Sequence, residues 1–110
     1  MSRFTLHALA LGVATATLSV SANAATEVTW WHAMGGELGK KLEEIVAGYN
    51  ASQGDFKVTP VYKGSYAETM TAAIAAFRAG EQPNVLQVFD AGAATVIGAQ
   101  GATVPVQGLL

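Results

Sequence analysis

GSYAETMTAAIAAFRAGEQPNVLQVFDAG, Gly64–Gly92, holds a helix start, a helix stop and a short apolar strand in one line. Ser65, with Glu68 three positions on, forms the reciprocal pair that closes a helix N-terminus, and Gly80 followed by Pro83 ends the same helix. Between these signals Met70, Ala73, Ile74 and Phe77 recur at helical spacing and predict a buried stripe. The run NVLQVF, Asn84–Phe89, lies between Pro83 and Gly92 and reads as a buried strand. Its end is an acid, Asp90. A carboxylate there is costly unless something binds it, so the stretch asks what that partner is.

Upstream, Val28, Thr29, Trp30 and Trp31 are strong strand formers that stop at His32, before the breaker pair Gly35-Gly36. Leu38, Leu42, Ile45, Val46 and Tyr49 then share one helical face, with Lys40, Lys41, Glu43 and Glu44 largely on the other. NASQGD makes a turn, and FKVTPVY reads as an edge strand because Pro60 cannot donate a ladder hydrogen bond. Downstream, AGAATVIGAQGA predicts a weak helix and TVPVQGLL an extended end. The order strand, helix, strand, helix, strand, helix is an α/β pattern.

The 110 residues carry 6 Lys and Arg against 8 Asp and Glu, a formal net charge of −2. That length allows one small domain, and the scattered cations offer no basic stripe, which excludes nucleic acid as the expected partner. At the start, Arg3 and His7 precede the apolar run Ala8–Val20, and Ala22 and Ala24 form an A-x-A site. This is the pattern of a secretory signal peptide over residues 1–24, with the domain beginning at residue 25. The apolar run is too short for a span of roughly 20 residues. The absence of cysteine excludes a disulfide framework, a lipid-attachment thiol and thiolate metal sites.

In open α/β sheets ligands sit outside the carboxyl ends of the strands. The three strand ends here deliver Trp31 and His32, then Lys63 and Gly64 leading to Tyr66, then Asp90. Trp30 and Trp31 point to opposite faces, so one of the two is a candidate for lining a cleft and the other for the core. His32 is a candidate ligand or base, or a hydrogen-bonded structural histidine; no second histidine or acid stands at metal-ligand spacing, and no metal or cofactor is expected. Lys63 is expected to be solvated. Asp90 suits either capping of the next helix or acceptance of ligand hydroxyls. Tyr66 offers a ring face and a phenol towards the same cleft. With no G-x-S-x-G elbow, Walker loop or H-E-x-x-H, binding is favoured over catalysis; a secreted hydrolase lobe using His32 and Asp90 is the alternative from another class.

Three blocks, TWWHAMGGELGKKLEEIVAGYNASQ, VTPVYKGSYAETMTAAIAAFRAG and VLQVFDAGAAT, resemble the periplasmic sn-glycerol-3-phosphate-binding receptors of ABC importers, within extracellular solute-binding protein family 1. The middle block is the most specific. The resemblance implies a periplasmic binding protein type II-like fold, of which residues 25–110 look like the N-terminal part of the first of two lobes. It implies a non-enzymatic, monomeric full-length receptor that passes its ligand to an inner-membrane permease and its ATPase. A sugar or oligosaccharide receptor of the same superfamily is the alternative, and a truncated reading frame without function a further one. Residue by residue, the ligand-contacting tyrosine after K-G-x falls on Tyr66, and the acid after Q-V-[YF] falls on Asp90. That acid is usually a glutamate, one methylene longer, and AGAAT departs from the usual V-G-T-A-T, losing a hydroxyl at Ala93. A partial lobe is expected to expose an apolar sheet face or edge.

Export carries its own test: N-terminal sequencing of the secreted protein should begin at Ala25, and an uncleaved, membrane-embedded product would contradict the leader.

Overall fold

The computed structural model describes residues 24–110, so the leader expected over residues 1–24 lies, but for Ala24, outside the described residues. Among these, β1 (Thr26–His32), β2 (Phe56–Tyr62) and β3 (Val85–Leu86) alternate with α1 (Gly36–Ser52), α2 (Tyr66–Ala79) and α3 (Asp90–Gly98). The strands form one parallel sheet in the order β2-β1-β3, as the alternation of elements requires. The end expected to be extended instead closes into a 3-10 turn at Val106–Gly108.

Register partners share a face of a sheet. Val28, Trp30 and His32 therefore lie with Val58, Pro60 and Tyr62, and Thr29 and Trp31 with Thr59 and Val61 on the opposite face. The chain runs outward from β1 to β2 and then back across β1 to β3. Because crossovers are right-handed, that reversal sends α1 and α2 to opposite faces. Accordingly Ile45, Val46 and Tyr49 of α1 stand on the face of Val28, Trp30 and Val58 and line an open apolar pocket with them. α2 and α3 flank a groove on the other side, floored by Leu86.

The outer edge of β2 is closed by side chains. Asn50 of α1 accepts the Val58 N–H and donates to the Val58 carbonyl, both at 2.8 Å. Gln53 does the same for Phe56, at 2.8 and 2.7 Å. Pro60, next in the alternation, has no N–H to leave unpaired. The edge position read from Pro60 is thus observed, with two amides that protect the strand at Phe56 and Val58.

β3 departs from the expected strand over Asn84–Phe89 and spans two residues only. Its flanking ladder positions are filled by amide side chains: Asn84 Oδ1 accepts the Thr29 N–H at 2.8 Å and Gln87 Oε1 accepts the Ala33 N–H at 2.9 Å. The Gln87 N–H still reaches the Trp31 carbonyl at 2.9 Å. Beyond Gln87 the chain leaves β1, which has itself ended at His32, so Val88 and Phe89 have no neighbour to pair with.

The core is small. Leu42 and Val46 of α1 and Ala73 of α2 are buried, together with His32 and Thr69. The predicted stripes are only partly covered: Leu38 and Ile45 are 66% and 65% exposed, and Tyr49, Ile74 and Phe77 are exposed as well. The helical spacing is as expected, but a sheet of three strands, one of them two residues long, is too narrow to cover both stripes. An apolar face of Leu38, Ile45, Tyr49 and Val85 remains open.

α2 begins and ends where the sequence places it. Ser65 and Glu68 form both halves of a capping box, and Gly80, with φ 74°, donates to the carbonyls of Ala76 and Phe77. Gly64 has φ +92°, and a Cβ there would overlap Glu68 Oε2, so the box depends on glycine at this position.

Two tests follow from this packing. The Ser65 N–H and then the Ser65 hydroxyl, both bonded to the Glu68 carboxylate, hold Glu68 below its ordinary value of 4.5. A depressed carboxyl contributes stability above its unfolded value and loses it as pH falls through the folded one. Melting temperature should therefore drop more steeply on acidification in wild type than in Glu68→Gln; parallel curves would show the box to be electrostatically silent. The open apolar face should make the isolated chain self-associate. Sedimentation velocity should show species heavier than monomer, and Ile45→Lys should reduce them.

Candidate functional site

Parallel pairing brings the three strand ends, and the helix N-termini that follow them, to one end of the sheet. The segment after β1 turns to one face and those after β2 and β3 to the other, which opens a crevice where ligands bind in such sheets. The strand ends are tied to one another. The Lys63 N–H donates to the His32 carbonyl at 2.9 Å, joining the end of β2 to that of β1. Gln87 joins β3 to β1 through the Trp31 carbonyl and the Ala33 N–H.

Tyr66 is the first residue of α2, positioned by the Ser65 cap, and is exposed. Its ring stands 5.4 Å, centroid to centroid, from that of Phe89 at an interplanar angle of 40°. Phe89 in turn rests on Gly92, where a Cβ would come within 3.1 Å of its ring and 2.8 Å of Met70 Cε. The small residue thus lets α3 approach α2 and sets the aromatic pair.

Asp90 directly follows Phe89 and is the first residue of α3. The expectation of an acid at the end of a buried strand is corrected: the strand has ended four residues earlier, at Leu86, and Asp90 is exposed. Its Oδ1 accepts the Ala91 N–H at 2.7 Å. That is a first-turn donor with no intrahelical acceptor, although Phe89, not Asp90, holds the N-cap position. Among the described residues Oδ2 has no hydrogen-bond partner. The carboxylate therefore meets a helix terminus with one oxygen and solvent with the other.

The two tryptophans separate as strand alternation requires. Trp30 shares its face with His32, ring centroids 6.1 Å apart, under α1. Trp31 lies on the opposite face, and Lys63 Nζ sits 3.9 Å from its ring centroid. Lys63, expected to be solvated, is instead half-buried and stacked on an aromatic face. His32 is 3% exposed, and its Nδ1 accepts the Met34 N–H at 3.3 Å. Its ring is 5.9 Å from that of Tyr62. Among the described residues no group of three or more His, Cys, Asp or Glu is placed to hold a metal ion, and no helix is long and apolar enough to cross a membrane.

The structure thus brings Tyr66 and Asp90 together through Phe89, keeps Trp31 at the same end of the sheet beside Lys63, and turns His32 away under α1. Sequence reasoning passed over Gln87. Its signal was a polar residue inside an apolar run, which a buried strand tolerates only when the amide is bonded.

No protein-family model matches the chain. It is similar to the sn-glycerol-3-phosphate-binding periplasmic protein UgpB of Rhizobium meliloti, 51% identical over 89 residues that make up 81% of this chain and 21% of that protein. The protein of that name from Agrobacterium fabrum is 50% identical over 90 residues, 82% of this chain and 21% of the relative. That of Escherichia coli is 45% identical over 95 residues, 86% and 21% respectively. The chain spans about a fifth of the length of these relatives, and over that part it is homologous to periplasmic solute-binding proteins.

Proposed function

We propose that the chain is part of a periplasmic solute-binding receptor that captures sn-glycerol 3-phosphate, with glycerophosphodiesters as further ligands, and delivers it to an ABC permease and its ATPase. The supporting observation is the 51% identity over 89 residues to a relative whose name states that ligand. On this reading the chain makes and breaks no bond. It supplies one wall of a cleft, and the part of the relatives beyond the matched segment supplies the other wall within a two-lobed fold.

The chemistry of the strand ends suits the ligand. A free carboxylate oxygen on Asp90 is an acceptor for glycerol hydroxyls, and charge-assisted bonds of this kind are short and directional. Tyr66 adds a phenol and a ring edge against the carbon chain. The N-termini of α1, α2 and α3 gather at this end, and their partial positive charge favours an anion over a neutral polyol. With aspartate in place of the longer glutamate, Asp90 reaches one methylene less far, so its hydroxyl contact is weaker, water-bridged or compensated by a small backbone shift.

Titration calorimetry on the full-length parent protein tests this. Wild type should bind sn-glycerol 3-phosphate, and Tyr66→Ala and Asp90→Asn should each weaken binding by about 1–3 kcal/mol, the scale of losing one charge-assisted or buried partner. The ligand-free melting temperature separates binding from fold. Asparagine bonds a helix N-terminus well, so a purely structural Asp90 predicts unchanged affinity and stability. Tighter binding of maltose than of sn-glycerol 3-phosphate would replace this reading with a sugar receptor.

A further inference from the structure

His32 stands where the two ligand-facing segments are anchored to the central strand. Its carbonyl accepts the N–H of Lys63, three residues before Tyr66. The next residue, Ala33, gives its N–H to Gln87, three residues before Asp90. The His32 side chain folds back on the same turn, with Nδ1 accepting the Met34 N–H at 3.3 Å. A nitrogen that accepts carries no proton, so this arrangement requires a neutral imidazole with its proton on Nε2.

We propose that His32 is a positioning residue for the site: its neutral imidazole pins the turn from β1 to α1, and through that turn holds the Tyr66 and Asp90 segments in register, so that protonation of Nδ1 loosens the site. The inference rests on the binding role proposed for Tyr66 and Asp90. Protonation would set a donor against the Met34 N–H. The ring is 3% exposed between those of Trp30 and Tyr62, and cannot swing out to water without opening the packing. His32 lines a cavity of ≈ 190 Å³ whose other ionisable groups are Glu43 and Lys40 of α1 and Tyr62 of β2. A protonated Nδ1 cannot accept the Met34 N–H, so the geometry ties the turn to the charge of this ring.

The test uses the full-length protein, as wild type and as His32→Asn, whose Oδ1 takes the place of Nδ1 as an acceptor that does not titrate. Amide protection factors of Ala33, Met34 and Lys63 should fall from pH ~7.5 to ~5.5 in wild type and hold in His32→Asn. The dissociation constant for sn-glycerol 3-phosphate should rise about fivefold more in wild type than in the variant over the same interval, the effect of one hydrogen bond. The comparison between the two proteins removes the titration of the ligand's own phosphate. Protection factors and affinity ratios that match in the two proteins would overturn the proposal. If wild type binds no sn-glycerol 3-phosphate at all, the proposed function fails and the amide protection factors alone decide the anchoring role of His32. If His32→Asn does not fold, nitrogen-15 signals of the wild-type imidazole decide: an Nδ1 that carries a proton at neutral pH overturns the proposal, and one that lacks it supports it.

Discussion

The hydrogen bonds that β1 makes on both sides govern everything at the carboxyl end of this sheet. β1 is the only one of the three described strands with a neighbour on each edge, and both outer segments reach their places by bonding to it. Lys63 on the His32 carbonyl and Gln87 on the Trp31 carbonyl are consecutive rungs on opposite sides of one strand. Tyr66 and Asp90 follow each of these rungs by three residues. Their proximity is therefore a property of β1, and the stacking of Tyr66 on Phe89 refines a spacing that main-chain bonds have already set.

The parts of the fold legible in the sequence are those decided within a few residues. Ser65 and Glu68 bond each other, and Gly80 adopts its left-handed conformation locally, so the limits of α2 could be read without knowing what it packs on. Pro60 marks an edge by its own chemistry. Burial was less legible because it depends on the width of the surface opposite. Leu38 and Ile45 have correct helical spacing and still face solvent, since no spacing rule counts the strands beneath. β3 failed for a related reason: NVLQVF has the composition of a six-residue strand, but a strand is no longer than its partner allows, and β1 ends at His32.

The candidate site was legible to a similar degree. Tyr66 and Asp90 could be named because each opens the helix that follows a strand, four residues past its end. The surroundings of Asp90 could not be named. Its exposure follows from the chain leaving β1 after Gln87, and the desolvation cost that made the acid seem to need a ligand is absent. What remains in favour of a ligand is the geometry of one bonded and one open oxygen, together with the similarity to receptors of known name. The roles of Lys63 on Trp31 and of the Gln87 amide depend on tertiary neighbours more than twenty residues away, which a local reading does not reach.

The amides of Asn50 and Gln53 have an effect beyond the edge they cover. By filling both the donor and acceptor positions at Val58 and Phe56, and with Pro60 offering no donor, they make β2 a terminus. β3 has no such cover: Asn84 and Gln87 both spend their side chains on the inner side, towards β1. The sheet is thus uneven in its capacity for growth, covered at Phe56 and Val58 on one flank and open on the other, beside Val85. Lateral assembly has a direction, and two copies meeting through their β2 flanks would find Phe56 and Val58 already bonded and only the end of the strand, from the Pro60 carbonyl to Tyr62, left to share.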